Sequence, residues 1–231
     1  MGYSSGIGTS ELIDLLLSFV VLTIAFSMVG GGLGHVTTEG LAIVAVAVGS
    51  GFMLHELAHK FVAQRYGYWA EYKASMLGLV LTILMAMTIG IVFAAPGAVV
   101  IRKPQYSTPS IHYSEADDAY WDSLERRVGS EDLWISLAGP MTNIILVALA
   151  FASIMYMESA MPIQALVGNL YYAIAIRAFQ INLMLAAFNL IPIDPLDGGK
   201  VFRGNPLVWA AVGVPTILFA LAVLFLGIYP F

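Results

Sequence analysis

An apolar run from about Leu41 to Val62 is the feature that most constrains how this chain can fold. It is long enough to cross a bilayer as a helix, because about 20 apolar residues span the hydrocarbon core. The run contains Gly51 to Lys60, GFMLHELAHK, which brings two histidines and a glutamate to membrane depth. Ionisable groups at that depth are costly unless they are paired or bind a metal, so they predict a functional site.

The motif HELAH places His55 and His59 four residues apart, with Glu56 next to the first histidine. Residues four apart lie above one another on an α-helix, so both imidazoles can reach one metal ion. HExxH on a helix is the arrangement with which zinc hydrolases hold their metal, and its glutamate takes a proton from the attacking water. The motif therefore predicts a zinc site inside a membrane-spanning helix.

The composition also indicates a membrane protein. Hydrophobic residues make up 59% of the chain and charged residues 11%, whereas a soluble domain has about 25% charged residues. We expect 1–231 to form one all-α polytopic membrane domain with about five to six transmembrane helices. The chain has no cysteine, so His, Asp and Glu must supply any metal ligands. No basic stripe suggests nucleic acid, and none is expected as a partner.

The apolar segment from Ala74 to Ala95 decides the topology. If it crossed the membrane, Asp197 would lie on the face opposite His59, and the Lys and Arg residues would be divided between both faces. If it enters and returns, with Pro96-Gly97 helping the turn, nine of the ten Lys and Arg residues fall on one face. The positive-inside rule identifies that face as cytoplasmic. We therefore predict a re-entrant segment.

The remaining elements follow from hydropathy and turn residues. Four more apolar segments are predicted to span the membrane: Leu12 to Val29, Trp134 to Met157, Tyr171 to Ile191 and Leu207 to Ile228. Gly97 to Ile101, a β-branched run, predicts a short strand with an available edge. The polar stretch from Gln105 to Asp132 predicts a small surface helix after Ser114. Lys60 and Arg65 are typical of a charged flank at the membrane interface.

A catalytic zinc needs a third protein ligand beside an open position for water. The stretch NLIPIDPLDGGK, residues 189–200, offers two aspartates close to a helix break at Pro192 and Pro195. The backbone released there can turn an acidic side chain inward. Asp197, which two glycines follow, is the preferred ligand, and Asp194 is its competitor.

The two separated motifs resemble those of the site-2 protease family, the intramembrane zinc metalloproteases. HELAH matches the family's HExxH, and the segment from Asn189 to Gly198 matches its N-x-x-P-x-x-x-x-D-G pattern. The likeness covers Leu41 to Arg203. It implies that one zinc ion is bound by three residues and that a fourth is the general base and acid. The ligands are His55, His59 and Asp197, and the base is Glu56.

The resemblance also implies supporting roles for two asparagines. Asn189 is the asparagine of the second motif, and Asn143 ends the stretch Gly139-Pro140-Met141-Thr142-Asn143 at an expected helix start. Either amide is a candidate donor to the oxyanion of the reaction. A plain structural role for Asn143, bridging two helices, remains an alternative.

The resemblance implies hydrolysis of peptide bonds in or near a transmembrane segment of a membrane-protein substrate. The expected setting is the lipid bilayer of a prokaryotic plasma membrane, with the active site towards the cytoplasm. The strand Gly97 to Ile101 could hold a substrate extended. The alternative function is a zinc transporter or metal-handling protein, which would not require Glu56 as a proton shuttle. No PDZ or CBS domain is expected, and Arg102 to Leu133 is too short for a PDZ domain.

Overall fold

The computed structural model describes residues 6–29, 36–103 and 115–226, and of residues 115–128 only the backbone. In this part of the chain, five helices are long and apolar enough to cross a membrane, by length and composition: Thr9–Met28, Thr38–Arg65, Gly129–Ala160, Leu170–Asn189 and Pro206–Leu226. The predicted all-α polytopic fold with a short β element is therefore confirmed.

The described elements are numbered in chain order. The helices are α1 (Thr9–Met28), α2 (Thr38–Val48), α3 (Leu54–Arg65), α4 (Met76–Ile89), α5 (Glu115–Ala160), α6 (Ile163–Leu166), α7 (Leu170–Asn189), α8 (Asp197–Gly204) and α9 (Pro206–Leu226). The strands are β1 (Trp69–Ala74) and β2 (Gly97–Arg102), which pair antiparallel. Helix α7 packs against α2, α5 and α9, and α5 also packs against α3 and α8.

The predicted span around HELAH contains a break in its helical period. Helices α2 and α3 are joined end to end by a π-helical stretch, Gly49–Met53, immediately before the histidine motif. Short π-helical stretches inside α-helices occur frequently at functional sites. A π-helical turn contains one more residue than an α-helical turn, so it rotates α3 about the helix axis relative to α2. The face that carries the histidines therefore cannot be located by extending the apolar face of α2.

The segment from Ala74 to Ala95 returns to the place where it began. Helix α4 has 14 residues, about 21 Å of helix, which is less than the bilayer core of about 30 Å. The return stretch runs back beside it, and the Thr82 hydroxyl donates to the Phe93 carbonyl over 2.7 Å. Where the segment begins and ends, Ala74 lies opposite Gly97 in the register of the two strands. The predicted re-entrant segment is confirmed.

The prediction of a separate surface helix after Ser114 is wrong. A single 46-residue helix, α5, runs from Glu115 to Ala160. The residues between the two predicted helices contain one weak breaker, Gly129, which costs a helix only about 1 kcal/mol. Gly139-Pro140 therefore lies inside α5 rather than near its start. Pro140 has no N–H to donate to the Ser136 carbonyl one turn earlier.

Lys60 is not an exposed flank of the helix, although its position after the apolar run suggested one. It is 2% exposed and forms an ion pair with Glu11 of α1, itself 1% exposed. Hydropathy alone could not reveal this pair, because the partner lies in a part of the chain that carries no motif. A buried lysine needs such a partner, since an unpaired buried charge is strongly unfavourable.

Candidate metal centre and active site

Three side chains from two helices converge on one point. The Nε2 atoms of His55 and His59 are 3.0 Å apart, and both face the Oδ2 atom of Asp197. That oxygen lies 3.3 Å from Nε2 of His55 and 2.9 Å from Nε2 of His59. All three residues are buried, and they form a group that could hold one metal ion. The structure thus brings together the three residues that the sequence suggested as ligands.

The Nδ1 atom of each imidazole forms a hydrogen bond that holds the ring in place. Nδ1 of His55 lies 2.5 Å from Oδ1 of Asn143, and Nδ1 of His59 lies 2.7 Å from the Ile135 carbonyl. Because each acceptor is an oxygen, each Nδ1 carries the proton and donates it. In the neutral imidazole the lone pair then lies on Nε2, where a metal ion can bind it. A hydrogen bond of this kind fixes the tautomer and the orientation of a metal-binding histidine.

Asp197 reaches the histidines because the chain turns sharply between α7 and α8. Helix α7 ends at Asn189 and α8 begins at Asp197. Gly198 makes the turn possible, since a Cβ there would lie 2.3 Å from the carbonyl oxygen of Leu190. The competitor Asp194 points away, is 59% exposed and pairs with Arg203. The geometry therefore favours Asp197 as the third ligand.

The charge state of Asp197 suits a metal ligand. Burial acts to raise the pKa of its carboxyl group, but in the metal-free site positive charge on His59 and His55, with their hydrogen bonds to the carboxylate, lowers it by more. The pKa of Asp197 consequently lies well below its ordinary range. The group is an anion at neutral pH, ready to bind a cation without first losing a proton.

The space between the three donor atoms fits a zinc ion. A tetrahedral zinc ion with bonds of about 2.0–2.2 Å keeps its ligand atoms about 3.3–3.5 Å apart. Two of the three separations, 2.9 and 3.0 Å, are slightly shorter and the third is 3.3 Å, so a small outward turn of the side chains accommodates the ion. Gly139 of α5 faces this space. A Cβ at Gly139 would lie 2.3 Å from Nε2 of His59 and 2.5 Å from Nε2 of His55, so only glycine leaves the position open.

The donor group lies in the wall of a cavity of about 920 Å³. Glu56, buried at 9% exposure, lines the same cavity and is the carboxylate next to the ligand group. The residues of β2 from Gly97 to Ile101 also line the cavity. Several cationic side chains lie around it: Lys73, Lys103, Lys200 and Arg203. The cavity thus joins a metal-binding group, a carboxylate and a strand.

The two asparagines occupy different places. Asn143 is fully buried, and its amide nitrogen donates to the Gly51 carbonyl over 3.1 Å and to Oδ1 of Asn182 over 2.9 Å. With its oxygen on His55, each polar atom of Asn143 is engaged away from the cavity. Asn189 lines the cavity, and its amide nitrogen donates to the Leu185 carbonyl over 3.0 Å.

Sequence reasoning missed three parts of this arrangement. The Ile135 carbonyl cannot be found from residue type, because every residue has a carbonyl. Asn182 is a polar residue in an apolar helix, which is a signal for a buried polar contact but does not identify Asn143 as the partner. Gly139 appeared in the sequence only as part of an expected helix start, and its neighbours could not be named without the crossing of α5 and α3.

Comparison with known proteins agrees with the two motifs. Residues 43–177 match the model of peptidase family M50. A protein of Methanocaldococcus jannaschii named as a candidate zinc metalloprotease is 40% identical over 215 residues, 93% of this chain and 95% of the relative. A Bacillus subtilis protein with a similar name is 26% identical over 163 residues, 66% of this chain and 64% of the relative. No solved structure matches significantly. The chain therefore belongs to peptidase family M50, as its resemblance to the site-2 proteases predicted, and is a metallopeptidase with membrane-spanning helices.

Proposed function

We propose that the protein is an intramembrane zinc metalloprotease that hydrolyses peptide bonds in or beside transmembrane segments of other membrane proteins. One observation carries this proposal. The donor group of His55, His59 and Asp197 shares a cavity with Glu56, and three of these four residues lie in a helix able to span a membrane. Membership of the peptidase family supports the reaction class.

The proposed ligands of one zinc ion are His55, His59 and Asp197. Bound zinc supplies Lewis acidity, which polarises a substrate carbonyl and makes water a stronger nucleophile at neutral pH. Two relatives are named as candidate zinc metalloproteases, which supports zinc over other divalent metals. Two imidazoles and one carboxylate are also a common ligand set of catalytic zinc.

Glu56 is the proposed general base and acid. It takes a proton from the attacking water and returns it to the leaving amine, so the carboxylate is regenerated at the end of the reaction. Asn143 is proposed to orient His55 rather than to contact substrate, because its polar atoms are already engaged. Asn189 lines the cavity and keeps one amide hydrogen beyond its bond to Leu185, so it is the better candidate for an oxyanion donor.

Strand β2 is the proposed substrate-binding element. A substrate helix must unwind before attack, because its carbonyl groups are engaged in hydrogen bonds within the helix. An extended segment could then add to β2 as a further strand. Within the described residues, the sheet contains only β1 and β2, and β2 lines the cavity that holds the ligand group. Both observations support strand addition.

We further propose a prokaryotic plasma membrane as the location, with the cavity open to the cytoplasm. Two relatives come from prokaryotes. Four cationic side chains line the cavity: Lys73, Lys103, Lys200 and Arg203. Lys and Arg are enriched on the cytoplasmic side of membrane proteins, so their location supports this orientation.

Purified protein in detergent should cleave a tagged single-span substrate at a bond within or next to the span. Mass spectrometry of both fragments identifies that bond. A zinc chelator should stop the reaction, because free imidazoles and carboxylates cannot replace the Lewis acid, and added zinc should restore it. Cleavage that persists at full metal removal would contradict the proposal. Zinc flux into liposomes without cleavage would instead support the metal-handling alternative.

Asn143→Leu should lower zinc affinity by about 10–100-fold, because His55 loses the acceptor that orients it. Competition with a chromogenic chelator measures this affinity. Asn182→Ala is the matched comparison, since it removes a buried amide that contacts Asn143 but not His55, and its effect should be clearly smaller. If Asn143→Leu keeps its zinc affinity but loses turnover, Asn143 acts on the substrate rather than on the ligand.

A further inference from the structure

The buried carboxylate of Glu11 joins three elements that the chemistry described above does not connect. Its Oε2 atom accepts from the ammonium group of Lys60 in α3, and its Oε1 atom accepts from the backbone N–H of Tyr72 in β1 over 3.0 Å. Glu11 itself belongs to α1. Lys60 directly follows the proposed ligand His59. One carboxylate therefore ties the sheet to the helix that carries the histidines.

A second carboxylate of α1 makes the same kind of contact. Asp14 lies about one turn after Glu11, and its Oδ2 atom accepts from the backbone N–H of Ala74 over 3.2 Å. Backbone polar groups of successive residues on a strand point alternately to its two edges. The N–H groups of Tyr72 and Ala74 both point to the outer edge of β1. Helix α1 therefore occupies that edge with two carboxylates.

The register then fixes which groups of β2 point to the other edge. Tyr72 lies opposite Val99, and Ala74 lies opposite Gly97. When one member of an antiparallel pair turns its polar groups outward, its partner does the same on the opposite side. The next pair in the alternation is Ala70 with Ile101. Gly97, Val99 and Ile101 thus present their N–H and C=O groups at the edge of β2 away from β1, and all three line the cavity.

We propose that Glu11, together with Asp14, is a positioning residue that sets the register of the substrate strand against the metal-binding group. The inference rests on the proposed function. A segment added to β2 takes its position from Gly97, Val99 and Ile101, and β2 takes its position from β1. Glu11 fixes β1 to α1 and, through Lys60, to the helix of His55 and His59. We call the hydrogen bonds from β1 to Glu11 and Asp14 the anchor. The anchor therefore helps to select the peptide bond that is presented for attack.

The test must separate the anchor from the buried charge pair. Replacing one partner would leave the other charge unpaired in the interior, so both residues are changed together. Glu11→Gln with Lys60→Met removes both charges but keeps a side-chain oxygen for the Tyr72 N–H. Glu11→Leu with Lys60→Met removes that oxygen as well. The two double variants differ only in the contact to β1.

The Leu double variant should raise KM for a single-span substrate by about tenfold relative to the Gln double variant, because the strand edge is no longer fixed. Its cleavage should spread to neighbouring peptide bonds, which mass spectrometry resolves. The metal content of the two variants should be equal. If Glu11 were needed only for stability, its replacement would change neither the bond that is cleaved nor the ratio of KM to kcat in the folded protein.

A distance measurement tests the anchor without any activity. The chain has no cysteine, so spin labels can be attached at Phe61→Cys in α3 and Arg102→Cys in β2, both exposed positions. The distance distribution should be narrow in the unaltered protein and in the Gln double variant, and wider in the Leu double variant. If the unaltered protein cleaves no peptide, the proposed function fails, but these distances still test the anchor.

The same cleaved bond, the same KM and the same label distances in both double variants would overturn the inference. Loss of metal at unchanged label distances would also overturn it, because the defect would then lie at the ligands. If the Leu double variant does not fold, Asp14→Ala decides, with Asp14→Asn as its control. Asp14→Ala leaves the Glu11–Lys60 pair intact and should raise KM by about threefold and widen the label distances. No change in either measurement would overturn the inference.

Discussion

Glutamine in place of Glu56 should abolish peptide cleavage while leaving the metal bound. The two side chains have nearly the same shape, so the cavity is preserved, but the amide cannot take a proton from the attacking water. General acid–base groups contribute about 10²–10⁴-fold to the rate, and kcat should fall by that factor. Fragment formation from a single-span substrate measures the rate, and metal analysis of the same sample measures occupancy.

The matched control for this change is Glu39→Gln. Glu39 is an exposed carboxylate in the first turn of α2, on the same continuous helical run but outside the cavity. Its amide variant should cleave at the rate of the unaltered protein. An unchanged kcat in Glu56→Gln would contradict the proposed base. Loss of metal from Glu56→Gln would show instead that Glu56 helps to hold the ligand group.

Alanine in place of Gly139 should remove the metal and, with it, all cleavage. Its Cβ would come within 2.5 Å of both Nε2 atoms, where a zinc ion would bind. The backbone of α5 cannot easily retreat, because the Ile135 carbonyl on the same helix accepts from His59 over 2.7 Å. We expect a loss of zinc affinity of more than about 100-fold, since both imidazoles must move off the ligand geometry. Metal analysis after gel filtration measures the loss.

Gly129→Ala is the control on the same helix, because a Cβ at Gly129 meets no atom within 4 Å. It should keep its metal and its activity, and it should stabilise the helix slightly, by up to about 1 kcal/mol. Thermal unfolding compares the two variants. If Gly139→Ala folds and binds zinc as tightly as the unaltered protein, the metal does not lie between the three proposed ligands.

The proposed ligand set could be found from the sequence because each ligand lies in a recognisable short motif. Two histidines four residues apart share a helix face in any α-helix, and ionisable residues in an apolar run need a reason to be there. Asp197 could be selected because a helix break precedes it and because charge counting put it on the same face as His59. The re-entrant segment followed from the same count of Lys and Arg residues.

The parts that could not be predicted depend on how helices cross. Lys60 looked like a flank because hydropathy sees only neighbours along the chain, whereas its partner Glu11 lies in another helix. The continuity of α5 was missed because its polar first part and its apolar second part differ in hydropathy and Gly129 lies near their junction, so they were predicted as two helices. The π-helical stretch before HELAH has no recognisable sequence pattern. The direction in which the histidines point relative to the apolar face of α2 therefore could not be predicted from the sequence.

The division of the ligand group between two helices has a thermodynamic consequence. His55 and His59 come from α3, and Asp197 comes from the first residue of α8. In an unfolded chain Asp197 is separated from the two histidines, so the chain binds zinc more weakly than the folded protein would. Metal at 100 times its dissociation constant then adds about 2.7 kcal/mol to the stability of the folded state. Chelation should then lower the melting temperature as well as the activity, because an ion held by the proposed ligands would cross-link α3 and α8.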